Sequence, residues 1–265
     1  MRATAFVQLA GSVWLVLAAL VTGIAIPPDP GFLATCGLLG LIGAGAYFAY
    51  FTGLRIGPIS VVSGMVAAYG GLTVVLAVVA RGESLTTVQA FGATIATIGV
   101  ILTGVAFGGG LRGTRFAGPG VIFAVVALVL FALLTITTDI ALESAGWLQV
   151  LLVSRLVTTA ILIAAVVVAT VIGGRDVVMA PARDSIPVPR VTAMLLAAGS
   201  LDVAGLISFV IGLETAPTWM VGLASSCGPA ITILFAVAFL GERLKPVQWV
   251  GLVGVTIGMV AIGLP

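Results

Sequence analysis

Long apolar runs, separated by short polar breaks, make up almost the whole chain. Each run is about 20 residues long, which is the length that a helix needs to cross the hydrocarbon core of a bilayer. The runs are continuous rather than alternating, a pattern typical of membrane helices and not of membrane strands. Nine runs are predicted to span the membrane, over residues 4–26, 32–52, 58–80, 86–107, 118–139, 147–172, 191–212, 217–240 and 246–264. The pattern therefore predicts an all-α polytopic membrane protein.

The breaks between the runs have turn chemistry. Pro58, Pro217 and Pro246 stand where a new helix would begin, a position at which the missing N–H of proline costs little. Glu83 and Glu242 occupy equivalent Gly-Glu turns. A carboxylate in such a turn can cap the free N–H groups of the following helix and complement its dipole. We expect this structural role for both residues, with substrate contact as the alternative.

One stretch of the chain occurs twice, because Gly212–Gly263 repeats Gly53–Gly104 in register without a gap. Both copies carry the pattern Gly-Glu-x-Leu-x2-Val-Gln-x2-Gly. An odd number of predicted spans separates the copies, so the second should be inverted across the bilayer. The predicted domains are a first repeat of four helices over 1–107, a linker over 108–117, and a second repeat of five helices over 118–265. Internal repeats are the usual plan of secondary transporters.

The composition is typical of a membrane protein and excludes several other classes of function. With 61% hydrophobic residues, 8% charged residues and a mean hydropathy of +1.32, the chain cannot hide its apolar surface from water. The absence of histidine from the sequence excludes familiar zinc sites and Ser-His-Asp chemistry. No nucleotide-binding loop or catalytic motif occurs, and a net charge of +2 gives no basis for nucleic-acid binding. We therefore predict a protein that is not an enzyme, with no metal, cofactor or nucleic-acid partner.

The two hairpins give the chain a family resemblance. Their paired proline, Gly-Glu, Gln and Gly positions, together with Arg155 near the start of the span 147–172, resemble the EamA-type transporters of the drug/metabolite transporter superfamily. The resemblance covers essentially the whole chain. It implies ten helices in two inverted five-helix repeats, with a central cavity near the middle of the membrane. This sequence departs from that plan, because only nine spans are predicted in it and none of them matches the first helix of the family; either the gene model begins late or the protein has nine spans.

The function that the resemblance implies is secondary transport. We expect the protein to move a small metabolite or drug-like molecule across the cytoplasmic membrane by alternating access, with the proton as the candidate coupling ion. The expected location is the inner membrane of a bacterium. The expected partners are the substrate, the lipid bilayer and the proton, and a homodimer is left open. The alternative is a membrane scaffold or assembly subunit that transports nothing.

Two arguments about orientation in the membrane conflict. All lysines and arginines except Arg81 and Arg155 fall on one side of the predicted nine-span topology, so the positive-inside rule places the N-terminus in the cytoplasm and the C-terminus outside. Members of the family have both ends in the cytoplasm, and the loss of a first helix would leave this N-terminus outside. The charge bias favours the first orientation, and the question is left open.

Asp202 and Arg155 are the charged residues predicted to lie well inside spans, away from the ends. Asp202 falls near the middle of the span 191–212, with Gly199 and Gly205 on either side of it on the same helix face. An acid at that depth must face protein or water. Asp202 is therefore a candidate proton-coupling or cation-binding carboxylate, and the alternative is an acid satisfied by a hydroxyl or by Arg155. Arg155 could neutralise an anionic substrate or extend its side chain towards the headgroups.

Four uncharged polar residues are predicted to line the substrate cavity. The spans 58–80 and 217–240 are both interrupted, by Ala-Ala-Tyr-Gly in the first copy and Ser-Ser-Cys-Gly-Pro in the second. Broken helices free backbone carbonyls and often line a transporter site. The candidate wall residues are Tyr69, Thr73, Ser225 and Thr232. A kink that serves only packing is the alternative.

Overall fold

The structure, a computed structural model, describes residues 2–57, 59–105, 119–172, 188–228 and 246–263, and these residues are almost entirely helical, with short turns between the helices. No strand occurs among those residues. The helices are α1 (Arg2–Thr22), α2 (Pro30–Ile56), α3 (Ile59–Ala67), α4 (Tyr69–Arg81), α5 (Thr87–Val105), α6 (Pro119–Leu142), α7 (Trp147–Ile172), α8 (Val188–Thr215), α9 (Thr218–Ser225) and α10 (Pro246–Ile262). The predicted all-α fold is confirmed.

The helices have the length and composition of membrane spans. Within the described ranges, five helical stretches are long and apolar enough to cross a bilayer: α2, α4 together with the end of α3, α6, and most of α7 and of α8. Shorter apolar helices lie within α1, α5 and α10. The predicted span 217–240 is described only as far as residue 228. The chain is therefore a polytopic membrane protein, as its hydropathy pattern predicts.

The two predicted interruptions are present. The first separates α3 from α4 at Ala68, and the second ends α9 at a turn over Ser226 and Cys227. Pro217 occupies the position before the first residue of α9, and Pro246 is the first residue of α10. Both prolines therefore begin helices as predicted, whereas Pro58 lies outside the described residues.

The packing of α5 against α10 shows that the second copy of the repeat is inverted. A methyl group placed on Gly99 would lie 2.7 Å from the carbonyl oxygen of Gly251, and one on Gly92 would lie 2.9 Å from that of Gly258. Gly92 corresponds to Gly251 in the repeat, and Gly99 corresponds to Gly258. Each contact therefore becomes the other when every glycine is replaced by its equivalent in the repeat. Such reciprocal contacts are expected when two antiparallel helices are related by a two-fold axis perpendicular to them. The predicted inversion is confirmed.

The chain divides into two compact units, which are distinct from the two sequence repeats. The first unit consists of Met1–Ala44 and Thr137–Glu214, and the second consists of Gly45–Ile136 and Thr215–Pro265. Each unit therefore takes segments from both halves of the sequence. The division into repeats at 1–107 and 118–265 stays a prediction about domains.

Each unit has its own apolar core. In the first unit, α1, α7 and α8 contribute the buried side chains Leu15, Leu148, Leu151, Leu152, Val203 and Val210. In the second unit, α4, α5, α9 and α10 meet around Trp219 and Leu223, with small alanines between them. Small side chains let membrane helices approach closely, so that packing holds them together where lipid supplies no hydrophobic driving force.

Candidate functional site

An ion pair between Arg155 and Asp202 lies inside the first unit. Asp202 is at the midpoint of α8, and Arg155 is about two turns from the start of α7. Arg155 donates from Nη2 to the Oδ2 oxygen of Asp202. The Arg155 side chain is 3% exposed, whereas that of Asp202 is 30% exposed. The structure thus brings together the two charged residues that the sequence indicated, with the carboxylate as the accessible partner.

Gly11 of α1 provides the room for this ion pair. A methyl group on Gly11 would lie 2.6 Å from Arg155 Nη2 and 2.6 Å from a methyl carbon of Val203. On α8, a methyl group on Gly199 would lie 2.8 Å from the Ala10 side chain. The three helices α1, α7 and α8 therefore converge at the guanidinium group, and any side chain at position 11 would displace it.

Uncharged polar side chains on α1 and α7 extend the buried polar region. The Ser12 hydroxyl donates to the backbone carbonyl of Gln8 at 2.9 Å and lies 3.0 Å from the Thr159 hydroxyl. Gln8, Ser12 and Thr159 are all buried. The sequence interpretation missed them, although a Ser or Thr near the middle of an apolar span is a visible signal. Together with the ion pair, they form a polar centre in the first unit.

Two buried polar atoms of this centre have no hydrogen-bond partner among the described residues. They are Oε1 of Gln8, an acceptor, and Nε of Arg155, a donor. Leaving such atoms unsatisfied away from water is costly. Structural polar networks usually satisfy all their members, so this centre differs from a network that only stabilises the fold.

One turn beyond Asp202 on α8, Gly205 borders open space. A methyl group on Gly205 would meet nothing within 4 Å, unlike one on Gly199. Gly205 lies one turn from Asp202 on the same face. Leu201 and Ala204, on the adjoining surface of the helix, are exposed. Of the two glycines that flank Asp202 in the sequence, Gly199 is used for packing, whereas Gly205 leaves open space on the same face of α8, one turn further along.

In the second unit, Tyr69 and Ser225 meet across the two interrupted helices. The Tyr69 hydroxyl donates to the Ser225 hydroxyl oxygen at 2.9 Å. The Tyr69 ring lies 5.7 Å from the ring of Phe131, which is also close to Tyr47 and Tyr50. No sequence signal pointed to Phe131, because a phenylalanine in an apolar span is ordinary. The result is an aromatic cluster of three tyrosines around one phenylalanine.

Thr73 is fully buried where α4 crosses α9. Its hydroxyl donates to the backbone carbonyl of Tyr69 at 2.9 Å, so it is bonded within its own helix. A methyl group on Gly222 would lie 2.4 Å from the Thr73 side chain, and one on Gly70 would lie 2.2 Å from the Ser226 hydroxyl. Thr73 therefore packs the crossing of α4 and α9. The remaining predicted site residues, Thr232 and Glu242, lie outside the described residues.

Glu83 caps a helix, but not the helix that we expected. Its two carboxylate oxygens accept hydrogen bonds from the backbone N–H groups of Thr218 at 3.0 Å and Trp219 at 3.1 Å, at the start of α9. Pro217 stands at the capping position and provides no side-chain acceptor. The expectation that Glu83 caps the following helix is therefore wrong, although its structural role holds.

The following helix, α5, has a capping box of its own. The Thr86 N–H donates to Oε1 of Gln89 at 3.0 Å, and the Gln89 N–H donates to the Thr86 hydroxyl oxygen at 3.3 Å. This reciprocal Thr-x-x-Gln arrangement satisfies the free amides of the first turn. Glu83 is consequently available for α9, whose own capping position holds a proline.

A groove of about 800 Å³ runs between α4 and α5 in the second unit. Val75, Val79 and Ile98 line it and are exposed, and Glu83, the one charged residue among its described lining, is engaged with α9. None of the described residues that line this groove was predicted to line the substrate cavity. Its apolar, open character suits contact with lipid more than recognition of a polar solute.

Comparison with known proteins agrees with the fold. A model of the EamA-like transporter family matches residues 1–105 and 118–264. A chain described as the crystal structure of a protein is similar in structure, with a TM-score of 0.76 and 19% sequence identity over 98% of this chain and 86% of that chain. At that identity the likeness shows the fold alone. No curated protein matches significantly in sequence. The resemblance read from the hairpins is confirmed.

Proposed function

Because the chain belongs to the EamA-like transporter family, we propose that it is a proton-coupled secondary transporter of a small metabolite or drug-like molecule. The family is one of transporters rather than enzymes, in agreement with the sequence prediction. The substrate, the coupling ion and alternating access are proposals, as is a location in the inner membrane of a bacterium. The partners in this proposal are the substrate, the proton and the lipid bilayer.

The observation that carries the proposal is the Arg155–Asp202 ion pair at the centre of the first unit. Ionisable side chains at this depth are expensive to insert and commonly mark transport pathways and proton relays. Asp202 is the titratable partner and the more exposed one. In the proposed cycle, Asp202 takes up a proton when the site faces one side of the membrane and releases it when the site faces the other.

A flux assay in liposomes tests the proposal. Purified protein is reconstituted with a pH-sensitive dye inside the vesicles, and candidate amino acids, nucleobases and organic acids are added outside. A transported substrate should cause proton movement that empty vesicles do not show. Under a pH gradient, Asp202→Asn should abolish substrate accumulation while retaining exchange of substrate across the membrane.

Glu214→Gln is the matched control for this assay. It removes a carboxylate from the exposed end of the same helix and should accumulate substrate like the wild type. Accumulation by Asp202→Asn at the wild-type level would end the coupling role of Asp202. The absence of any flux from the wild type across the screen would favour the alternative of a scaffold or assembly subunit.

A further inference from the structure

Among the described residues, the side chain of Arg155 bonds to Asp202 through one donor group, Nη2. A guanidinium group carries five N–H donors in a planar fork that matches both oxygens of a carboxylate. Asp202 contacts it through a single oxygen at Nη2, and the buried Nε has no partner among the described residues. The guanidinium is therefore anchored in the polar centre, while a bidentate edge formed by Nε and Nη2 is only partly used.

From this geometry we propose that Arg155 binds a monovalent organic oxyanion, such as a carboxylate, which replaces Asp202 on the guanidinium when Asp202 takes up a proton. This inference rests on the proposed transport function and names its substrate class. The substrate anion would bond to Nε and Nη2 together. It would enter from the side of Asp202 and Gly205, where α8 leaves open space.

The exchange keeps the buried site electrically neutral at each stage. Before it, the site holds the Arg155 cation and the Asp202 anion. After it, the site holds the Arg155 cation, the substrate anion and a neutral Asp202 carboxylic acid. An isolated charge in the membrane interior is therefore avoided in both states. One proton moves with each monovalent anion, and the overall step is electroneutral.

The proton in this exchange belongs to Asp202, because it is the acid that bonds to Arg155. α1 faces it with Ala10 and Gly11, and α7 faces it with Arg155. The end of α6 contributes the apolar Leu142 to the same core. Asp139 lies three residues before Leu142, and Glu143 follows it in the turn after α6. Glu214 is twelve residues along α8, or about 18 Å at 1.5 Å per residue.

Chemical rescue provides a test that does not depend on transport. Asp202→Asn leaves Arg155 without its counter-ion, so a small external carboxylate should occupy the vacated edge. Acetate should then raise the unfolding temperature of purified Asp202→Asn by several degrees in a saturable way, because a ligand that binds the folded state stabilises it. Neutral acetamide, which has nearly the same shape, should have no effect at the same concentrations.

Two controls make the test decisive. The double variant Arg155→Gln with Asp202→Asn removes the cation and should not respond to acetate. In the wild type, methanesulfonate, which stays ionised at every pH used, should raise the unfolding temperature more as the pH falls, because protonated Asp202 releases Arg155. Neutral dimethyl sulfone should not. The wild-type series also covers the case in which Asp202→Asn does not fold.

Equal responses of Asp202→Asn to acetate and acetamide, or an equal acetate response in the double variant, would overturn the proposal. So would a wild-type methanesulfonate shift that does not depend on pH. These failures differ from a failure of the proposed function. Proton-coupled flux without rescue would mean that the substrate is not an anion bound to Arg155, whereas rescue without flux would leave an anion site in a protein that does not transport.

Discussion

The two units of the molecule use polar groups in opposite ways. In the first unit, the Arg155–Asp202 ion pair occupies the interior, and atoms around it lack partners among the described residues. In the second unit, the helices pack through glycine, and Glu83 completes the start of α9 with both of its oxygens. Polar groups of the second unit therefore stabilise the fold, whereas those of the first retain unsatisfied bonding capacity. This contrast places the candidate chemistry in the first unit.

Breaking the ion pair should have the largest effect on stability. Arg155→Met leaves Asp202 within the bundle without a cation, and removal of one partner of a buried pair costs about 3 kcal/mol. We expect a clear fall in the unfolding temperature measured in detergent. Adding Asp202→Leu should recover most of the lost stability, because two apolar side chains of similar volume leave no charge without a partner. A single variant as stable as the wild type would mean that the pair is not buried as described.

A methyl group in the α5–α10 crossing tests the packing of the second unit. At Gly258 it would lie 2.6 Å from the backbone nitrogen of Ala96 and 2.6 Å from the carbonyl oxygen of Gly92. Neither atom can move without its helix, so Gly258→Ala should cost about 1–3 kcal/mol. The matched control is Gly37→Ala in the first unit, where a methyl group would meet nothing within 4 Å. Gly37→Ala should be neutral or stabilising by up to about 1 kcal/mol, and an equal loss in both variants would contradict the comparison.

Loss of the Glu83 cap should have a smaller and localised effect. Glu83→Ala removes both acceptors from the start of α9 and should cost about 1 kcal/mol. Hydrogen exchange should become faster at the amides of Thr218 and Trp219. Thr86→Ala, three residues along the same turn, should instead speed exchange at the start of α5. If both variants changed the same amides, the assignment of one cap to each helix would be wrong.

The smallest expected effect concerns the Tyr69–Ser225 hydrogen bond. Tyr69→Phe removes the hydroxyl and keeps the ring against Phe131. Because Ser225 is exposed, the loss should lie near the low end for such bonds, about 0.5 kcal/mol. Ser225→Ala should give a similar loss, and the double variant should be no worse than either single one. Additive losses would show that the two hydroxyls act independently.

The sequence predicts those features of the molecule that depend on local pattern. Hydropathy predicts the helices, the repeat predicts their inversion, and turn motifs predict the interruptions at Ala68 and Ser226. A charged residue in an apolar span is also visible, so Asp202 and Arg155 could be selected as candidates. The sequence left open whether Asp202 bonds to Arg155 or to a hydroxyl group, because the contact between the two residues depends on how α7 and α8 pack.

The sequence pattern could not predict contacts between segments that are far apart in the chain. The partner of Glu83 is 135 residues away, and the Gly-Glu turn carries no sign of it. The capping box of Thr86 and Gln89 was a local signal that could have shown that the start of α5 was already satisfied. Phe131 gave no signal, because its position among three tyrosines depends on how α2, α4 and α6 meet.

The bond between Glu83 and α9 also has a consequence for the order of biosynthesis. Glu83 leaves the ribosome 135 residues before Thr218, which corresponds to about 7–27 s at typical rates of synthesis. During that interval the turn between α4 and α5 is complete, but the helix that it caps does not yet exist. The second unit can therefore close only after α6, α7 and α8 have been made. Until α9 is made, Glu83 lacks the two amides to which it bonds in the finished structure.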